Sequence, residues 1–146
     1  MLRVVLDTSV LVSNVMSPNG VPAQVFKAWR AHCYSLFTTQ AIIQELVTTL
    51  NYPRIRLKYR ISEAEIQEMV GLLREYASFV PGVADVSDSM VRDPNDRMIL
   101  SAVLEAKAHV LVASDKDLLV LGTYRDAEIV TPRQFLERFV PPANRS

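Results

Sequence analysis

The chain opens on a short, almost wholly apolar segment that stops at an acidic residue. Four of the five residues from 2 to 6 are Leu or Val, which is too uniform for a strand with one solvent-facing side. Such a run suits a central strand of a parallel sheet that helices cover on both faces. Asp7 follows directly. Because ligands bind at the carboxyl ends of strands in open α/β sheets, Asp7 is either a turn residue or the first residue of a site.

Strand-like and helical patterns alternate along the rest of the chain. Further strand-like runs occupy residues 34–38, 79–83, 109–113 and 128–130, with helical periods between them. In a chain of 146 residues, this alternation predicts a single-domain α/β fold. We expect a three-layer sandwich, in which helices flank a central parallel sheet of four to five strands.

Two expectations concern the extent and location of the protein. The domain is predicted to span residues 1–140, and residues 141–146 are predicted to form a flexible tail. The sequence shows no signal-peptide pattern and no apolar run of membrane-spanning length. We therefore expect a cytoplasmic protein with no membrane partner.

Composition limits the kinds of partner and of site. Sixteen Lys and Arg residues balance 16 Asp and Glu residues, so contact with nucleic acid must come from a local basic patch. The single cysteine, Cys33, excludes an internal disulfide, and we expect it to be a buried structural thiol. No Ser-His-Asp set, P-loop or dinucleotide fingerprint is present in the sequence.

Two further acids have features in common with Asp7. Asp115 follows an apolar strand as Asp7 does, which would place two carboxylates on one edge of the sheet. The alternative is that Asp115 is an ordinary acid in the first turn of a helix. Asp96 precedes Ile99 and Val103 at helical spacing, so it shares their buried face. A carboxylate there must be paired, hydrogen-bonded or metal-bound, although the helix dipole also favours an acid at this position.

A sheet edge that gathers carboxylates calls for a cation. The acids would otherwise repel one another and raise each other's pKa values. The chain has no cluster of Cys and His with metal-ligand spacing, and all-oxygen sites select hard cations such as Mg²⁺ or Mn²⁺. Such an ion can activate water and stabilise the leaving oxygen of a phosphodiester.

Four blocks of sequence, taken in order, resemble the PIN-domain family, and most closely the small bacterial PIN-family toxins of toxin–antitoxin pairs. The blocks are VVLDTSVLVS (4–13), TQAIIQEL (39–46), DPNDRMILSA (93–102) and LVASDKDLL (111–119). The resemblance implies an acidic quartet that is catalytic and binds Mg²⁺ or Mn²⁺. The quartet is Asp7, Glu45, Asp96 and Asp115. Periodicity alone would make Glu45 an ordinary solvated helix acid.

The same resemblance implies a metal-dependent endoribonuclease that cleaves RNA, is inhibited by a cognate antitoxin and forms a homodimer. Residues that could support the metal site are Thr8, Ser9, Asp93 and Ser114. Ser9 stands where the family often has Asn, and Ala113 where it often has Thr. The first alternative is therefore a catalytically weak or inactive PIN-fold module that binds RNA or protein. A haloacid-dehalogenase-like phosphatase is less favoured, because that class needs an Asp at the position of Ser9.

Candidate RNA contacts come from a basic segment and from one arginine beside an acid. Four cations on alternate positions between 54 and 60 could follow a phosphate backbone, and a solvated edge or loop is the alternative. These cations are Arg54, Arg56, Lys58 and Arg60. Arg97 could reach a scissile phosphate or form a surface ion pair.

Overall fold

The computed structural model describes residues 1–87 and 90–145. Within these residues the strands are Arg3–Leu6 (β1), Ser35–Thr38 (β2), Ser78–Phe79 (β3), Val110–Val112 (β4), Thr123–Tyr124 (β5) and Ala127–Val130 (β6). They form one sheet in the order β3-β2-β1-β4-β6-β5. Every pairing is parallel except that of β5 with β6.

Helices follow most of the strands. They are Thr8–Met16 (α1), Val21–Arg30 (α2), Gln40–Leu50 (α3), Pro53–Arg56 (α4), Glu63–Tyr76 (α5), Pro94–Ala106 (α6), Lys116–Leu119 (α7) and Pro132–Phe139 (α8), with a 3₁₀ turn at Pro142–Asn144. Helix α1 packs against α2, α3 and α5, and α6 packs against β1 and β2. No helix in the described part of the chain combines the length and apolar character needed to cross a membrane.

The predicted α/β architecture with a central parallel sheet flanked by helices is confirmed. The sheet has six strands rather than four to five, because β5 adds a short antiparallel edge. It pairs with β6 through a tight turn in which Arg125 has a φ of 53°. A strand of two residues carries no periodic signal in the sequence. The boundary between a domain at 1–140 and a tail at 141–146 stays a prediction, and Ser146 lies outside the described residues.

The core explains why β1 and β4 are so apolar. Residues Val4–Leu6 and Val110–Val112 are at most 2% exposed, as expected for central strands covered on both faces. Cys33 is only half-buried and packs against this core rather than inside it, which corrects the expectation of a buried thiol.

The strand order creates one position suited to a ligand. The chain moves outward from β1 to β2 and β3, and then returns to place β4 on the other side of β1. Leu6 pairs with Val112, so the residues that follow β1 and β4 leave the sheet side by side. In open α/β sheets, this reversal of direction marks the crevice where ligands bind.

Candidate functional site

Asp7 lies at the exit of β1 and is held by several donors. It caps α1 by accepting a hydrogen bond from the Val10 backbone N–H, 2.8 Å from Oδ1. The Ser9 hydroxyl donates to the same oxygen at 2.8 Å, and the Ser114 backbone N–H donates to Oδ2 at 3.1 Å. The side chain is 2% exposed. These bonds lower the pKa of Asp7, but burial outweighs them and the pKa is raised.

Asp96 lies in the first turn of α6, on its buried side. Asp93 caps this helix by accepting from the Asn95 backbone N–H at 2.8 Å, and Pro94 is the first helical residue. Because α6 begins at Pro94, Asp96 lies on the same side of the helix as the buried Ile99 and Val103. It is 5% exposed, as its helical spacing from these residues predicts. Its Oδ2 atom is buried and receives no N–H or O–H donor from the residues that the structure describes. A buried carboxylate oxygen without a donor is costly unless a proton or a cation meets it.

Asp115 and Asp117 lie beside Asp96. Asp115 caps α7 by accepting from the Asp117 backbone N–H at 2.8 Å. One carboxylate oxygen from each of the three aspartates lies within 4.8 Å of the others. We call Asp96, Asp115 and Asp117 the three-aspartate group.

The electrostatics of this group favour a bound proton or cation. The pKa of Asp96 is raised to about 7, first by burial and then by the Asp115 carboxyl, which is near enough to share a proton with it. The charges of Asp93 and Asp117 add to the shift. Near neutral pH the group therefore carries one carboxyl that is poised to exchange its proton for a cation.

Glu45 joins the same cleft from α3, although it is not part of the three-aspartate group. The Thr39 hydroxyl caps α3 by accepting from the Ile42 backbone N–H at 3.1 Å. Glu45 lies one turn further on, is half-buried, and accepts a hydrogen bond from the Thr49 hydroxyl at 3.3 Å. A cleft of about 370 Å³ brings together all four acids of the predicted quartet.

The residues expected to support the site have distinct roles in its geometry. Ser9 donates to Asp7 through its hydroxyl, whereas Ser114 donates through its backbone and its side chain is exposed. The Thr8 hydroxyl is buried and has no partner among the described residues. Asp93 is an exposed helix cap that also lines the cleft.

The predicted RNA contacts are not brought to the cleft. No Arg or Lys is among the described residues that line it. The alternating cations do not form one face, since Pro53–Arg56 is helical and Arg60 is in a turn with a φ of 52°. Arg56 forms an ion pair with Glu63 at 3.3 Å and also donates to the Asn51 side chain.

The remaining cations are more exposed or engaged elsewhere. Lys58 lies 5.4 Å from the centre of the Tyr59 ring, and Arg54 is exposed. The Arg97 Nε atom donates to the Val91 carbonyl at 3.0 Å, so this guanidinium is tied to the backbone before α6.

Asp117 is the residue of the site that sequence reasoning missed. Its backbone N–H also donates to Asp115 at the start of α7, a contact that is typical of an ordinary helix cap. The position of Asp117, two residues after Asp115 and within the first turn of a helix, could have identified it from the sequence. That spacing puts a second carboxylate on the ligand-binding edge of the sheet.

The fold and the cleft together define a class of protein: an α/β domain that presents carboxylates at the carboxyl edge of its sheet, where a divalent cation could bind. The chain belongs to the PIN domain family, whose model matches residues 3–117. That range contains the whole quartet and Asp117. PIN domains are generally metal-dependent nucleases, and PIN nucleases act on RNA.

The chain is also similar to an archaeal protein along nearly its whole length. It is 25% identical, over an alignment of 146 residues, to the uncharacterized protein MJ1680 of Methanocaldococcus jannaschii. The alignment covers 94% of this chain and 92% of the relative. It therefore extends the similarity beyond residue 117.

Proposed function

We propose that this protein is a Mg²⁺- or Mn²⁺-dependent endoribonuclease that hydrolyses RNA phosphodiesters in the acid cleft. The observation that carries the proposal is the Asp96 carboxyl. It is 5% exposed, its Oδ2 atom has no described N–H or O–H donor, and its pKa is about 7 among other acids. A buried acid in these surroundings is stabilised by a cation.

The donor set fits a hard divalent cation. Asp96, Asp115 and Asp117 supply oxygens within 4.8 Å of one another. Asp7, which caps α1, and Glu45, which lies on α3, add two further carboxylates to the cleft. These five carboxylates offer oxygen ligands, which favours Mg²⁺ or Mn²⁺ over softer metals. When bound, such a cation supplies activation of water and stabilisation of the leaving oxygen.

The protein's own contribution is to position these groups before substrate binds. Asp7 is locked by donors from Ser9, Val10 and Ser114, so its carboxylate has one orientation in the resting protein. Preset geometry of this kind lowers the entropy lost on reaching the transition state. Glu45 is half-buried and held by Thr49, which suits a carboxylate that accepts a proton from the attacking water.

We also propose that the protein acts in the cytoplasm as the toxin of a toxin–antitoxin pair, as a homodimer with a cognate antitoxin partner. This proposal rests on the resemblance of the four sequence blocks to small bacterial PIN-family toxins. Induced expression in bacteria should then arrest growth. Asp96→Asn should relieve the arrest at equal protein level. If wild type and Asp96→Asn arrested growth equally, toxicity would not depend on the acid cleft.

The nuclease proposal is tested by RNA cleavage in Mn²⁺ and in EDTA. Cleavage should require the metal, and Asp96→Asn and Asp115→Asn should each lower its rate at least about a hundredfold. Asp126→Asn is the matched control, because Asp126 is exposed and does not line the cleft. Its rate should equal that of wild type.

The outcomes of this assay separate the alternatives. Metal-independent cleavage, or full activity in Asp96→Asn, would contradict the proposal. RNA binding without cleavage would favour the inactive binding module. A phosphoryl group trapped on Asp7 would favour the phosphatase, although Ser9, which donates to Asp7, occupies the place of that class's second aspartate.

A further inference from the structure

A second pocket adjoins the acid cleft. It has a volume of about 460 Å³ and is formed by the segment that leads into α6 and by the end of α7. We call it the side pocket, and its walls include Met90, Arg92, Asp93, Asp117, Val120 and Leu121.

The side pocket is continuous with the acids of the cleft. Asp93 lines both the side pocket and the cleft. Asp117 lines the side pocket and belongs to the three-aspartate group. A polynucleotide whose phosphate lies at this group must continue in both directions, and the side pocket is adjacent to that position.

The walls of the side pocket expose apolar side chains to solvent. Met90 is 88% exposed and Val120 is 81% exposed. The neighbouring Leu118 is fully buried and anchors α7, so Val120 is not needed to hold the helix in place. Single exposed apolar residues are ordinary, but two on one pocket beside a candidate active site suggest a ligand with an apolar face.

We propose that the side pocket binds one nucleobase of single-stranded RNA, next to the phosphodiester that lies at the three-aspartate group. The inference rests on the proposed nuclease function and names how that site holds its substrate. The exposed apolar walls of the side pocket favour a base, because a base is uncharged and presents a flat apolar face. Thioether and methyl groups pack well on such rings, and stacking tolerates any base.

Arg92 supplies the cation that this arrangement needs. It is exposed and makes no hydrogen bond or ion pair with the residues that the structure describes. Its guanidinium can bind the phosphate attached to the docked base or stack on the ring. Apolar walls for the base and one cation for its phosphate therefore match a single nucleotide.

The test uses a short fluorescein-labelled single-stranded RNA of mixed sequence, together with a series in which one nucleotide at a time is abasic. Binding is measured by fluorescence anisotropy in Ca²⁺, and cleavage of the intact RNA is measured in parallel in Mn²⁺. The variants are Val120→Ser and Met90→Ser. Val83→Ser is the matched control, since Val83 is also 81% exposed and lines neither pocket.

For wild type, one abasic position should weaken binding roughly fivefold or more, as expected for the loss of one stacked base. Val120→Ser and Met90→Ser should weaken binding of intact RNA by a similar factor. In these two variants, an abasic nucleotide at that same position should weaken binding no further. Val83→Ser should behave as wild type.

Each other outcome overturns one proposal or both. If Val120→Ser and Met90→Ser match Val83→Ser while wild type cleaves RNA, the side pocket holds no base and the nuclease proposal stands. That result is also expected if a protein segment docks on these walls. Base-dependent binding without cleavage would support the pocket and contradict the nuclease. Absence of both binding and cleavage would contradict both.

Discussion

The backbone N–H of Ser114 donates a hydrogen bond to the carboxylate of Asp7 across 107 positions of sequence, with a distance of 3.1 Å to Oδ2. This bond joins the ends of β1 and β4, the two strands between which the direction of the sheet reverses. It comes from the backbone, so the side chain at position 114 is not required for it. The Ser9 hydroxyl, by contrast, supplies a bond that only a side chain can make.

The two serines should therefore respond differently to alanine. Ser9→Ala removes a donor to a buried carboxylate and should lower the free energy of unfolding by about 1 kcal/mol. It should also weaken Mn²⁺ binding roughly tenfold, because Asp7 loses part of its orientation. Ser114→Ala keeps the backbone donor and should change neither quantity. Calorimetric Mn²⁺ titration and urea unfolding measure both, and equal effects of the two substitutions would contradict this division.

Asp96→Asn should separate stability from metal binding. In EDTA the variant should be more stable than wild type by about 1 kcal/mol, since a buried acid surrounded by acids is replaced by a neutral amide of the same shape. Mn²⁺ should raise the melting temperature of wild type but not that of the variant. Thermal unfolding with and without Mn²⁺ is the measurement. An Mn²⁺ shift of equal size in the variant would exclude Asp96 as a ligand.

The metal-free protein should lose stability as the pH rises from about 4 to about 7. The pKa of Asp96 is about 7 when folded, against an ordinary value of 3.8, so the folded state binds more protons throughout this window. The stability that protonated Asp96 contributes is complete below the lower pKa, is lost progressively between the two pKa values, and stays absent above the upper one. Asp7, whose pKa is also raised, acts in the same direction.

The comparison that isolates Asp96 is wild type against Asp96→Asn, by urea unfolding in EDTA at several pH values. Groups with lowered pKa values, such as Asp85 and Glu128, contribute equally to both proteins. The difference in unfolding free energy between the two proteins should grow in favour of the variant as the pH rises to about 7. A difference that is independent of pH would contradict the raised pKa.

The basic segment should divide into a structural and a nucleic-acid-binding part. Arg56→Ala breaks the ion pair with Glu63 and a bond from Nε to the Ile61 carbonyl, so it should lower stability by about 1 kcal/mol. Arg54→Ala, at an exposed position, should leave stability unchanged and reduce the salt dependence of RNA binding by about one charge. RNA binding at several salt concentrations and urea unfolding distinguish these effects. An unchanged salt dependence in Arg54→Ala would remove this segment from the RNA-binding surface.

Much of the fold and part of the cleft could be predicted from local pattern. Uniformly apolar strands ending at Asp7 and Asp115 imply a shared edge, because parallel strands end on the same side of a sheet. Helical period placed Asp96 on a buried face, and the structure leaves it 5% exposed. These features follow from the repeat of a strand or a helix and need no knowledge of distant contacts.

The alternating positions of the cations between 54 and 60 predicted their arrangement less well. The cations between 54 and 60 are spaced as if they shared one face of a strand. Pro53 instead begins a helix, and Arg60 adopts a positive φ. Residues two apart lie on different sides of a helix, so these cations do not share one face. The antiparallel strand β5 was missed because it has two residues and its partner is β6. Both depend on backbone geometry that the identity of neighbouring side chains does not reveal.

The sequence by itself determined that acids would end two buried strands and enter a buried helix face, because hydrophobic periodicity is a local property. Only the tertiary structure decided that β4 lies beside β1, that Ser114 bonds to Asp7, and that Asp117 joins Asp96 and Asp115. Those contacts depend on how α6 and α7 are placed on the sheet. That placement is set by packing between residues far apart in the chain, and it turned the isolated acid after β1 into part of a cleft.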